Sequence, residues 1–277
     1  MLSLPRGLSE KSSQTLSKHS QLYLETIVFQ IENTLFRVPS RYFHEHSEVF
    51  KSASNISKND DHSVEQPIEL SPLPHGANAE DFGYLARIII VLTAGFAAPN
   101  EYGLLQWLSV LKLASAWEFI EIRELAMARI RNFSGQGPGT AREKWLSVLE
   151  FCWDLPTFSD LRDITISCLS RSSGVPAIEQ VVLGRRYLVK SWLIKGLKGL
   201  GTEPALPPLD QLKRDLGTDL TLQLLYFRDY VSTHSCKYNC HDSRRGHGEQ
   251  SKYVDKVEEY FPDELSRYDK IPSAAKQ

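Results

Sequence analysis

Strand-forming sequence is confined to one short part of this chain, and that limits the fold more than any other feature. Leu24 to Val38 contains two runs of β-branched and aromatic residues separated by Glu-Asn-Thr, which predicts a hairpin. Pro67 to Leu70 predicts a short edge strand. Beyond it, apolar residues recur mostly at helical spacing. With a length of 277 residues, the sequence predicts one compact unit of strands and helices followed by helical material.

The first helices are predicted from breakers and caps. Pro39 ends the second strand, and Ser40 is predicted to cap a single helix with the apolar positions Tyr42, Phe43, His46, Val49 and Phe50. Residues 52–66 are polar and predict a loop. Asn78 and Asp81 are spaced as a capping box, and the helix that follows has its apolar positions at Phe82, Leu85, Ile88, Ile89 and Leu92.

A five-residue sequence occurs twice in the helical part. Trp107-Leu-Ser-Val-Leu111 recurs as Trp145-Leu-Ser-Val-Leu149. Leu104 to Trp117 predicts a central buried helix, and Ile122 to Phe133 predicts an amphipathic partner. The recurrence is interpreted either as a duplicated helical hairpin, each copy burying the apolar face of the other, or as the ordinary likeness of leucine-rich helices.

Glycine and proline mark the predicted boundaries. Ser134 to Thr140 is taken as the first linker and Gly201 to Pro208 as the second. The predicted organisation is a flexible tail at 1–20, a domain at 21–133, a helical extension at 141–200, and a helical, partly irregular region at 204–277. In the last two parts, helices are predicted after Pro176, from Val189 to Leu200, around Leu220 to Val231, and from about Tyr253 with an interruption at Pro262.

The order of these elements and several local sequences resemble the BTB/POZ family. The resemblance rests on Val28-Phe-Gln-Ile-Glu-Asn-Thr-Leu-Phe-Arg-Val-Pro39 and on Ser47-Glu-Val-Phe50. Trp107 to Ala126 and Val181 to Leu193 are similar to BTB proteins of mushroom-forming fungi. This resemblance implies an α+β fold, with a small mixed sheet and clustered helices, and a mainly α-helical extension. It also implies a non-enzymatic interaction module that binds other proteins, either itself as a homodimer or a cullin scaffold as a ubiquitin-ligase adaptor.

Two positions matter for dimerisation within that resemblance. Dimer-forming members of the family usually carry an Asp before the first strand and a His-Lys or His-Arg pair at the start of the next helix. Here Glu25 and Pro39-Ser-Arg41 occupy the corresponding places. A carboxylate and a guanidinium remain, but the histidine is missing.

One cluster of residues could bind a metal ion. His234, Cys236, Cys240 and His241, with His247 nearby, provide nitrogen and sulfur ligands of the kind that zinc prefers. No second well-spaced pair follows them, so the other interpretation is a polar irregular loop with reduced thiols. The rival to the interaction module is therefore a zinc-binding structural or nucleic-acid-binding protein.

Charge and composition exclude several other functions. The formal net charge is −2, so no positive field attracts nucleic acid. The apolar stretch Leu85 to Ala98 is too short to span a membrane, and the first 21 residues lack the apolar stretch of a secretory signal. With only four scattered cysteines, we expect reduced thiols and a cytoplasmic or nuclear protein.

No enzyme motif is found, so we expect no catalytic residue, cofactor or small-molecule substrate. Cys152 and Cys168 are predicted to be core residues. The five tryptophans are predicted to pack in the core, with interface anchors as the alternative. The pairs Arg185-Arg186 and Arg244-Arg245 are predicted to be solvated.

Overall fold

The computed structural model describes residues 25–56, 67–135, 141–172, 174–238 and 256–269. The chain divides into two compact units, Met1–Ile130 and Arg131–Gln277. The fold is mixed α+β, as predicted, with a small sheet in the first unit and helices in both. The predicted tail at 1–20 lies outside the described residues.

The sheet has three strands in the order β2-β1-β3. Strands β1 (Thr26–Ile31) and β2 (Thr34–Pro39) form the predicted antiparallel hairpin, with Ile31 opposite Thr34. The two-residue turn between them places Glu32 at a φ of 53°. Strand β3 (Ile68–Glu69) pairs in parallel with β1 and lies at the edge of the sheet, as predicted.

The helix predicted after Pro39 is in fact two helices, α1 (Ser40–His46) and α2 (Glu48–Ile56). The break is at Ser47, whose backbone is extended. Its hydroxyl donates to the carbonyl of Trp117 at 2.5 Å and accepts from the backbone N–H of Phe50 at 3.2 Å. Ser47 therefore caps α2. The prediction that Ser40 is a cap was wrong, because Ser40 lies inside α1 and its hydroxyl donates to the carbonyl of Glu25.

Three longer helices, α3 (Ala79–Thr93), α4 (Leu104–Ala116) and α5 (Ile120–Ser134), follow β3. The predicted capping box is confirmed, since Asn78 and Asp81 exchange side-chain hydrogen bonds at 3.0 Å with each other's backbone N–H. The core of this unit is aromatic. The ring of Phe29 on β1 is fully buried, and its neighbours on α1, α2 and α3, with ring centroids 5.2–5.7 Å away, are Phe43, Phe50 and Phe82.

The second unit consists of helices in the described residues. They are α6 (Arg142–Cys152), α7 (Ser159–Ser170), α8 (Ala177–Arg186), α9 (Lys190–Thr202), α10 (Leu209–Leu216), α11 (Thr218–Tyr238), α12 (Val257–Tyr260) and α13 (Pro262–Asp269). Helix α10 was not predicted. Leucines of α9 share one core with α10, α11 and the last two helices. Residues 201–208, interpreted as a linker, therefore join elements of a single core.

The repeated pentapeptide is buried at three matching positions in both copies, whereas its second residue is buried in the first copy (Leu108) and half-buried in the second (Leu146). Trp107, Val110 and Leu111 are buried on α4, and the matching positions of α6 are buried too. The neighbouring helices differ, because α4 packs chiefly against the preceding α3 whereas α6 packs against the following α7. The two copies therefore bury the same side of one helix. They do not form the two equivalent helical hairpins that the sequence predicted, because the helices that pack against α4 and α6 come from opposite directions along the chain.

Candidate interaction surface

Charged side chains surround a cleft in the first unit. It has a volume of about 420 Å³ and lies between α1, the last turn of α3 and the first turn of α5. Its lining residues are Arg41, Tyr42, Glu45, His46, Leu92 and Glu121. Both signs of charge are therefore present within one concave surface, which is typical of a surface that recognises a polar partner.

Tyr42 is the buried member of this cleft. It is 7% exposed, and its hydroxyl has no hydrogen-bond partner among the described residues. Burial, with a smaller contribution from the negative charge of Glu121, raises the pKa of Tyr42 to about 12. The ring of His46 stacks on Tyr42 at 4.1 Å, and its Nδ1 lies 3.6 Å from Glu121. An uncompensated buried hydroxyl is unfavourable, so the hydroxyl of Tyr42 lowers the stability of the folded unit.

Two exposed apolar side chains lie close in sequence to residues that line the cleft. Phe96, just after α3, is 70% exposed, and Ile120, the first residue of α5, is 55% exposed. A third, Leu35, is 50% exposed on β2. Within the described part of the chain, no strand pairs with the outer edge of β2. Unpaired strand edges and exposed apolar groups are the usual contact points of other polypeptides.

Arg41 and Glu25, the two positions singled out for dimerisation, make contacts close to their own elements. Arg41 pairs with Glu45 one turn along α1, with Nε and Oε1 2.8 Å apart, and both side chains are largely exposed. Glu25 contributes its backbone carbonyl, which accepts hydrogen bonds from the N–H and the hydroxyl of Ser40. Ser40 thereby fixes the start of α1 to the start of β1.

A smaller pocket lies in the second unit, where the end of α7 meets the first turns of α8 and α9. Its volume is about 120 Å³. Apolar groups of Leu169, Val175, Leu183 and Trp192 line it, together with the cationic residues Arg142 and Lys195. This pocket could not be predicted from the sequence, because its lining comes from four separate helices and the loop before α8.

The candidate zinc ligands are not brought together among the residues that the structure describes. Cys240 and His241 lie outside the described residues, and of Cys236 only the helical backbone in α11 is described. His234 lies on α11 with its Nδ1 2.8 Å from the carbonyl of Tyr230. Across 25–56, 67–135, 141–172, 174–238 and 256–269, no group of three or more His, Cys, Asp or Glu residues could hold a metal ion.

The cysteines and tryptophans that were predicted to lie in the core are buried to different degrees. Cys152 is fully buried, and its burial raises the pKa of the thiol to about 12, so the core prediction is confirmed. Cys168 is only half-buried. Four tryptophans are buried. The fifth, Trp153, is half-buried, with the guanidinium of Arg162 4.3 Å from its ring.

The prediction that Arg185 is solvated was wrong. Its guanidinium donates to the carbonyl of Leu216 at 2.6 Å and lies 2.8 Å from the buried carboxylate of Glu264. Arg186, the next residue, is exposed and pairs with the exposed Glu150. Arg244 and Arg245 lie outside the described residues.

Comparison with known proteins identified no relative of this chain. No protein-family model, no curated protein and no solved structure matches this chain. None of the helices in the described ranges is both long and apolar enough to cross a membrane.

Proposed function

We propose that this chain is a non-enzymatic protein–protein interaction protein whose first unit is a BTB/POZ domain. The order of elements supports the proposal: a hairpin, two short helices, a short strand parallel to β1, and then three helices. The sequence resemblance rests on the same order, except that it has one helix after the hairpin where the structure has two. The aromatic core around Phe29 accounts for the phenylalanines in the segments that carry the resemblance.

The observation that carries the interaction function is the exposed apolar and unpaired surface of the first unit. Leu35 is half-exposed on the outer edge of β2, with which no strand of the described residues pairs. Phe96 and Ile120 are exposed and lie close in sequence to residues that line the cleft. Covering such groups removes apolar area from water, at about 25 cal/mol per Å². The charges of the cleft would then provide specificity at the rim.

The partner tested first is a second copy of this chain. Because Arg41 is already paired with Glu45 on its own helix, a charged pocket at that place is not expected to drive association. We propose instead that the apolar side chains drive it. In the second form of the proposal, the partner is a cullin scaffold, and the helical unit presents targets to a ubiquitin ligase.

Sedimentation of the full chain tests the proposal. Between about 1 and 100 µM, a range that reveals weak to moderate dimers, we expect the mass to rise from 31.5 kDa toward twice that value. Leu35→Lys and Phe96→Asp each change an exposed residue, and each should weaken association by about tenfold. Leu209→Asp changes an exposed leucine of the second unit and should leave it unchanged.

Capture of purified cullin scaffolds on the same chain separates the two forms of the proposal. If the chain is a monomer and binds cullin less tightly after Phe96→Asp, the adaptor hypothesis is supported and the dimer hypothesis is rejected. A monomer at every concentration that recovers no cullin would overturn the proposed function.

A further inference from the structure

The pocket at the end of α7 has the size of one side chain. Its volume of about 120 Å³ is well below the roughly 300–1,000 Å³ of pockets that enclose whole small molecules. A cavity of about 150 Å³ holds a single benzene. A leucine or phenylalanine side chain would therefore fill this pocket, while the rest of its molecule would remain outside.

The walls of the pocket are apolar and fixed. Leu169 and Trp192 are both buried, and Leu183 and Val175 complete the apolar lining. The indole N–H of Trp192 donates to the hydroxyl of Ser170 at 2.7 Å, so its polar atom is already satisfied and the ring is held in place. A preformed apolar recess of this kind is what anchor residues of a binding partner occupy.

Both charged residues that line the pocket are cations, and one of them is already paired with a carboxylate. Arg142 and Lys195 line it, and none of the described lining residues is acidic. Arg142 donates to Glu179 on α8, whereas Lys195 is exposed and has no carboxylate partner within the described ranges. Ser191 places the positive end of the α9 dipole at the same rim. A bound segment would thus carry negative charge beside its apolar anchor.

We propose that this pocket anchors one leucine-sized or phenylalanine-sized side chain of a short acidic segment in a partner protein. This second binding site belongs to the helical unit, and it does not depend on the fold or the partner proposed for the first unit. The apolar anchor provides the contact area, and the carboxylates beside it meet Lys195 at the rim.

Selection of random short peptides displayed on phage against the full chain tests the proposal. We expect the enriched peptides to share one large apolar residue flanked by Asp or Glu. A synthetic peptide of the enriched sequence, labelled with fluorescein, then gives the affinity by anisotropy. Replacing its apolar residue by Ala, or its acidic residues by Asn and Gln, should weaken binding by about tenfold or more.

Two variants test whether the peptide binds in the pocket. Ser191→Trp puts a large side chain at the exposed rim and should abolish binding by covering the recess. Lys195→Glu reverses the free charge and should weaken binding by about tenfold. Lys213→Glu makes the same charge change at an exposed position on α10, away from the pocket, and should have no effect.

Three results would overturn this inference. They are selection of no peptide or of basic peptides, equal binding by the wild type and both pocket variants, and binding of free phenylacetate as tightly as the peptide. The last result would identify a small-molecule site. Because none of these measurements involves self-association or cullin, they can fail while the proposal for the first unit stands, and the reverse is equally true.

Discussion

Among single residues, the most informative is Tyr42, whose hydroxyl is buried without a hydrogen-bond partner among the described residues. Sequence patterns predicted the burial of Tyr42 and of most tryptophans, because apolar spacing on a helix indicates which side faces the core. They did not predict that the hydroxyl of Tyr42 has no hydrogen-bond partner among the described residues. That depends on which polar groups the rest of the unit brings near it, which is a property of the folded chain.

Removing the hydroxyl of Tyr42 should stabilise the protein. We expect Tyr42→Phe to raise the free energy of unfolding by about 1 kcal/mol at neutral pH, since an unsatisfied buried polar group is lost. Urea denaturation measures it. Tyr84→Phe is the control, because the hydroxyl of Tyr84 donates to Glu80 at 2.5 Å, and its loss should give no gain. Destabilisation by Tyr42→Phe would show that the hydroxyl has a partner.

Alkaline pH should destabilise the protein through the same residue. The pKa of Tyr42 is raised from 10.0 to about 12 in the folded chain, so the folded state holds the proton more tightly than the unfolded state. The associated stability is complete below pH 10 and is lost as the pH rises toward 12. Tyr42→Phe should reduce this loss in denaturation measured from pH 8 to pH 11, and an identical pH profile would contradict it.

Cys152 and Cys168, the two cysteines whose side chains the structure describes, should differ in reactivity. Cys152 is fully buried, with a thiol pKa raised to about 12, whereas Cys168 is half-buried. Because the thiolate is the reactive form, iodoacetamide at pH 8 should modify Cys168 well before Cys152, as read by mass spectrometry of peptides. Equal labelling rates in the native protein would contradict the burial of Cys152.

At the scale of elements, periodicity predicted the helices and the hairpin, but contacts distant in sequence determined where they end or pair. The break at Ser47 depends on the carbonyl of Trp117, and the role of Arg185 depends on Glu264. Neither partner can be inferred from a local window. Helix α10 was missed because the prolines before it suggested a linker, although Leu212 and Leu216 lie one turn apart on its buried side.

Arg185 should stabilise the second unit more than its neighbour does. Arg185→Ala leaves the carboxylate of Glu264 buried without its principal cation, and we expect a loss of about 3 kcal/mol in unfolding free energy. Arg186→Ala removes an exposed ion pair with Glu150 and should cost no more than about 0.5 kcal/mol. Equal losses for the two variants would show that the buried pair is not structural.

Helices α8 and α9 should depend on glycine where they touch. A Cβ on Gly196 would lie 2.7 Å from the carbonyl oxygen of Ala177 and from the backbone nitrogen of Val181. Gly196→Ala should therefore lower the unfolding free energy by about 3 kcal/mol. In α3, Gly83 has only the ring of Phe36 nearby, at 3.8 Å. Gly83→Ala should stabilise by about 0.8 kcal/mol, and the reverse order would contradict this packing.

At the scale of the whole molecule, two units divide the binding features between them. The sheet-containing unit has the charged cleft and the outer edge of β2, with which no described strand pairs, and the helical unit has the side-chain-sized pocket. The sequence predicted a small α+β unit followed by helices. It could not predict either concave surface, since each is lined by residues from several elements that are far apart in the chain.

Hydrogen exchange of the full chain shows whether a partner binds the first unit, because it reports which backbone the partner covers. Exchange is compared between dilute and concentrated protein, and then with and without a captured cullin. We expect added protection in peptides that cover 34–46, 90–96 and 120–124, with α11 and α13 unchanged. No added protection under either condition, or protection confined to the second unit, would contradict it.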